Sequence, residues 1–97
     1  MADFLLLMHR DQTSTESDEA WGEYFAKLRS AGAFQGGSSI GDGVTLRKQG
    51  SPAPLSRQLA GFIRVSAVDL TSAQALVAGN PVYDAGGTVE VRELPPD

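Results

Sequence analysis

The chain holds one histidine, His9, which follows the apolar run Phe4-Leu5-Leu6-Leu7-Met8 and precedes Arg10 and Asp11. Imidazole titrates nearest neutral pH, so His9 is the side chain best suited to take or give a proton. A carboxylate beside it would complete an acid–base pair, and Asp11 is the nearest in sequence. Asp42 and Asp84 are further candidates. All three aspartates stand in turn-like surroundings, where Asp also serves by bonding its own backbone. The catalytic reading makes His9 and Asp11 base and acid. The structural reading makes His9 a strand-end residue bonded to backbone or solvent.

A second group could hold a ligand. Arg64 and Arg92 fall on one face of two strand-like runs, with Glu90 beside them. Read as neighbours, the two guanidiniums could grip a carboxylate or phosphate through forked hydrogen bonds, or could pair with Glu90 and a second copy of the chain. Trp21, Tyr24 and Phe25 could line a wall for a ring compound between helix and sheet, or be plain core. Ser56 and the other hydroxyls lack a base nearby in sequence, so nucleophilic catalysis has no support. Gly36-Gly37 and Gly41-Asp42-Gly43 match no phosphate-loop spacing. With no cysteine and one histidine, a disulfide is ruled out, a structural zinc site lacks soft ligands, and no metal or cofactor is expected.

Ninety-seven residues suit one domain spanning 1–97. A chain this short buries only roughly 60–65% of its unfolded surface, which favours burial against a second copy. Eight Lys and Arg stand against twelve Asp and Glu, a net charge of −4, with the cations scattered among acids. Nucleic-acid binding needs a basic stripe, so nucleic acid is not an expected partner. The N-terminal apolar run is far short of the ~20 residues that span a bilayer and lacks a basic start, so neither membrane nor export is expected, and the cytoplasm is.

These residues need elements to position them. Phe4 to Met8 reads as a central strand covered on both faces. Trp21, Tyr24, Phe25 and Leu28 recur at i, i+3, i+4, i+7, and with Gly32 as a stop they place a helix over about 17–31. Ala33–Ile40 and Val44–Arg47, separated by Gly41-Asp42-Gly43, read as a hairpin. Residues 49–57, with Pro52 and Pro54, read as a loop. Leu59–Ala67 is the next strand. Thr71-Ser72-Ala73-Gln74 reads as a capping box for a short helix stopped by Gly79-Asn80-Pro81. Tyr83-Asp84-Ala85-Gly86 is a turn, Gly87–Leu94 the last strand and Pro95-Pro96-Asp97 a tail. Right-handed crossovers put both helices on one face of an antiparallel sheet. Ile63, Val65, Val89 and Val91 would face them. Phe62, Arg64, Ser66, Glu90 and Arg92 would form the other face, suited to pairing with a second copy.

With these residues in view, the chain resembles the YCII-related (DGPF-domain) family over nearly its whole length. The match is strongest at Gly86-Gly87-Thr88-Val89-Glu90-Val91-Arg92-Glu93-Leu94. It continues at Asn80-Pro81, Asp69-Leu70, Leu5-Leu6-Leu7, Ala31-Gly32 and Gly36-Gly37. The resemblance implies an α+β, ferredoxin-like βαββαβ sandwich that pairs as a dimeric α/β barrel. It also implies either a small enzyme on lactone-like or chlorinated aromatic compounds, with a His and an Asp as acid and base, or a regulatory role. The family's Asp-Gly-Pro-Phe motif falls on Gln49-Gly50-Ser51-Pro52, where only Gly matches and the acid is missing. The missing acid favours a homodimeric small-molecule-binding or regulatory domain. The alternative is an isomerase or lyase on a cyclic or aromatic acid, with His9 as base, Arg64 or Arg92 on the substrate carboxylate and Trp21 against its ring.

Overall fold

A computed structural model describes residues 1–96; Asp97, the end of the expected tail, lies outside the described residues. The order of elements is β1 (Ala2–His9), α1 (Asp18–Ser30), β2 (Phe34–Ser39), β3 (Leu59–Ala67), α2 (Leu70–Ala75), α3 (Pro81–Asp84) and β4 (Val89–Leu94). The strands form one antiparallel sheet in the order β2-β3-β1-β4. This α+β arrangement is compatible with a ferredoxin-like fold.

Alternation along the strands decides the faces. Phe4, Leu6 and Met8 of β1 are buried, as are Ile63, Val65 and Ala67 of β3. Val89 and Val91 of β4 pack against the same cluster, which α1 closes with Tyr24 and Leu28 and α2 with Ala73. The opposite face is left open. The expected division of Ile63, Val65, Val89 and Val91 from Phe62, Arg64, Ser66, Glu90 and Arg92 therefore matches the structure. The second cover expected over β1 is not supplied by the chain itself, and Leu5 and Leu7 stay half-buried.

The ends of α1 follow its local chemistry. Ser17 Oγ accepts from Ala20 N at 3.1 Å, and Asp18 and Glu19 occupy the positive first turn. At the other end Gly32 has φ +68°. That conformation lets Gly32 N donate to Arg29 O and Ala33 N to Leu28 O, each at 3.0 Å, closing a Schellman motif.

Three expectations are corrected. Val44–Arg47 is not a strand, and there is no hairpin across Gly41-Asp42-Gly43. Val44 and Leu46 are 80% and 90% exposed. The edge of β2 pairs instead with β3, whose nine residues bury Ile63 and Val65 as they zip, a gain Val44–Arg47 cannot match. The cap of α2 is Asp69, whose Oδ1 accepts from Ser72 N at 2.8 Å; a carboxylate wins over the Thr71 hydroxyl two residues on. Pro81–Asp84 is a helical turn rather than only a stop, because Asn80 Oδ1 accepts from Val82 N and Tyr83 N, and Pro81 is preset for the first helical position. No helix among the described residues is long and apolar enough to cross a membrane.

Candidate functional site

The open face of the sheet can be read row by row from the register. Asp3 stands between Ser66 and Leu94, Leu5 between Arg64 and Arg92, and Leu7 between Phe62 and Glu90. His9 ends β1 on the same face, past a register shift that places it opposite Leu59. Its backbone N donates to Thr88 O at 2.9 Å, which brings its ring beside β4. His9 Nε2 and Glu90 Oε1 are 2.7 Å apart, with side chains 18% and 35% exposed. The hydrogen bond from His9 is the main cause holding the Glu90 carboxyl below its ordinary range, against a smaller opposing effect of desolvation.

Asp11 is not the partner of His9. Its Oδ1 accepts from Thr88 N at 2.8 Å and its Oδ2 from Thr88 Oγ1 at 2.6 Å, and these bonds hold the Asp11 carboxyl low. Asp11 thus ties the chain after β1 to the start of β4. Asp42 Oδ1 accepts from Gly43 N, as a turn aspartate does, and Asp84 lies in α3.

The two arginines share a face, but they are not on neighbouring strands. β1 runs between β3 and β4, so Arg64 and Arg92 stand two strand spacings apart, about 9–10 Å, with Leu5 between them. Each takes a carboxylate of the chain. Arg64 Nη2 donates to Asp3 Oδ2 at 2.6 Å, and Arg92 Nη1 reaches Glu90 Oε2 at 3.5 Å. The Arg64 guanidinium is the main reason the Asp3 carboxyl is held low.

Trp21 lies on the other side of the sheet. Its Nε1 donates to Glu16 Oε1 at 2.8 Å, and its ring stacks on Phe25 with centroids 5.5 Å apart. These two aromatics line a cleft of about 510 Å³ between α1 and the sheet, with Met8, Ile63 and Val82 among the apolar lining and Glu16 and Asp18 as its only charged residues. Of the three aromatics that could be either a wall or core, Trp21 and Phe25 line the cleft, while Tyr24 is 2% exposed and belongs to the core. The sheet therefore separates His9, Glu90, Arg64 and Arg92 from Trp21, and one ligand cannot touch both sets in a single chain.

Sequence reasoning missed Glu16 as a cleft residue, because it stands in a polar stretch that reads as capping. It paired His9 with Asp11 because Glu90 is 81 positions away. Among the described residues no three His, Asp or Glu side chains are grouped to hold a metal ion.

A four-stranded antiparallel sheet carrying its helices on one face, with a helix–sheet cleft, defines an α+β chain of ferredoxin-like arrangement. The YCII-related domain model matches residues 2–96, and the chain belongs to that family. No curated protein matches the chain.

Proposed function

We propose that this YCII-related chain is a dimeric small-molecule-binding domain, and that it seats a neutral or cationic ring compound in the cleft between α1 and the sheet. The cleft carries the reading. Its volume falls within the roughly 300–1,000 Å³ of small-molecule sites. Trp21 and Phe25 offer ring faces and Met8 a polarisable thioether, which suit an aromatic or alicyclic ligand. Glu16 and Asp18 would attract a cation or an N–H or O–H donor and repel an acid. That reverses the charge of the ligand expected from Arg64 and Arg92, which lie beyond the sheet.

The dimer rests on the open face. Leu5, Leu7 and Phe62 are half-buried neighbours by register, bordered by the Arg64–Asp3 and Arg92–Glu90 pairs. A second sheet laid there would cover the continuous apolar run of β1 on both sides. Binding that changed this pairing would give the domain a regulatory output.

Trp21 is the only tryptophan, so its emission reports the cleft directly. Titration with benzylamine and phenol should change that emission saturably, and benzoate should not. Silence towards all three, or a response to benzoate alone, would remove the reading.

The 2.7 Å His9–Glu90 contact favours a second reading, an acid–base enzyme whose histidine is paired with Glu90 rather than Asp11. It requires a substrate on the open face. Ring signals of His9 that ignore every ligand in an NMR titration would count against it.

A further inference from the structure

Among the described residues Arg64 and Arg92 are paired with carboxylates, whereas Arg10, Arg29, Arg47 and Arg57 are not; Arg29 lies over the Phe25 and Phe34 rings and Arg47 donates to Ser51 O, which leaves Arg10 and Arg57. Among the described residues three ion pairs form, and neither Arg10 nor Arg57 belongs to one. Both line a second cavity of about 390 Å³ at the base of the long segment 40–58, together with Asp42, Ser56, Leu55 and Leu59. Arg10 is fixed in place across the two ends of that segment. Its backbone N donates to Gln58 O at 2.7 Å and its Nη2 to Ile40 O at 2.9 Å. Arg57 makes no side-chain hydrogen bond among the described residues, so its fork is available to a ligand.

We propose that this cavity is a carboxylate-binding site, separate from the helix–sheet cleft, with Arg57 as its principal anion-binding residue and Arg10 as a pre-positioned second charge. Charge counting selects the class of ligand. Arg10 and Arg57 bring two positive charges and Asp42 one negative, so the lining carries a net +1 that a single carboxylate balances. A phosphate dianion would overshoot it. The planar fork of Arg57 matches the two oxygens of a carboxylate, and the Ser56 hydroxyl can donate a further bond. Leu55 and Leu59 are half-buried and give the apolar part of an organic acid a surface to lie on.

The test is an amide NMR titration of the full ¹⁵N-labelled chain with benzoate. Inorganic phosphate and sodium chloride at equal ionic strength serve as comparisons. Benzoate should shift Gly41, Ser56 and Arg57 saturably, while Trp21 emission stays unchanged. Arg57→Gln should weaken that binding about tenfold, the loss expected for one charge-assisted hydrogen bond. Arg57 is an exposed residue outside every helix and strand, so the variant keeps the fold. Shifts reproduced by chloride, tighter binding of phosphate than of benzoate, or an unchanged affinity in Arg57→Gln would each overturn the assignment. Trp21 emission following benzoate with the same midpoint would place the acid in the cleft, and that also overturns it.

Discussion

Tyr24 joins α1 to the segment carrying α2 and α3, and replacing it by phenylalanine tests how firmly α1 is held over the sheet. The ring is buried, and the hydroxyl donates to the carbonyl of Leu76, the C-cap of α2, at 2.7 Å. Asn80, fully buried, lies by the same hydroxyl, although its Nδ2 makes no well-formed hydrogen bond. Tyr24→Phe removes the donor from Leu76 O and sets a C–H before the Asn80 amide, with no change in packing volume beyond one oxygen. A buried polar group left without its partner costs about 1–3 kcal/mol. Leu76 is only half-buried, so solvent can satisfy part of its carbonyl, and the lower part of that range, about 1–2 kcal/mol, applies. In a domain of this size each kcal/mol moves the melting temperature by about 4–8 °C, so the variant should melt roughly 4–16 °C lower. Thermal unfolding followed by circular dichroism at neutral pH and matched protein concentration measures it. A second arm uses pH. Burial pushes the Tyr24 hydroxyl up from its ordinary value. A raised folded-state pKa means that Tyr24 contributes fully below the unfolded value, about 10, and that this contribution is lost as pH rises through the folded value. The gap between the two proteins should therefore narrow in alkali. An unchanged melting temperature at neutral pH, or a gap that widens in alkali, would refute the reasoning.

Two further outcomes are expected. Leu7→Lys sets an ammonium on the open face opposite Glu90, where it can pair within one chain but cannot be buried against a second sheet. Sedimentation should show two chains for the parent and one for the variant, and a parent that sediments as a single chain would end the dimer proposal. Glu90→Gln tests the His9 pair. The Glu90 carboxyl is held low chiefly by His9, so its contribution is present above the unfolded value, about 4.3, and is lost as pH falls through the folded one. Acidification should cost the variant less stability than the parent, as read from melting temperatures; parallel acid profiles would show that the contact contributes nothing.

Much of the fold was readable because its signals are local. Trp21, Tyr24, Phe25 and Leu28 recur at the helical period, and Gly32 marks where α1 stops making its own bonds, whereas the polar stretch before it holds several capping residues and only the structure singles out Ser17. The period of two in β3 and β4 assigned Ile63, Val65, Val89 and Val91 to the helix side without reference to any partner strand. Where local cues competed, the weaker one misled. Thr71 reads as a good cap, but Asp69 binds the helix end with a full charge.

The site was far less legible. Composition and spacing supplied the chemical types: one imidazole, several guanidiniums, an aromatic pair. They could not say which of these meet, because pairing across a sheet is fixed by register over long separations. The unshifted pairing of β1 with β4 sets Leu7 opposite Glu90 and so brings His9, two residues on along the same face, beside Glu90, and β1 inserted between β3 and β4 parts Arg64 from Arg92. Alternation of side chains in β1 then sends Met8 into the cleft and its neighbour His9 to the opposite face. The sequence by itself determined the main elements β1, α1, β3, α2 and β4, the faces of the strands and the family, since periodicity and ordered motifs are carried by residues close in the chain, while it offered a strand at Val44–Arg47 that does not form and read the helical turn Pro81–Asp84 as a stop and a turn. Only the tertiary structure decided which charges are paired, which arginines remain unpaired and where the cleft lies, since each is a contact between residues that the chain alone leaves far apart.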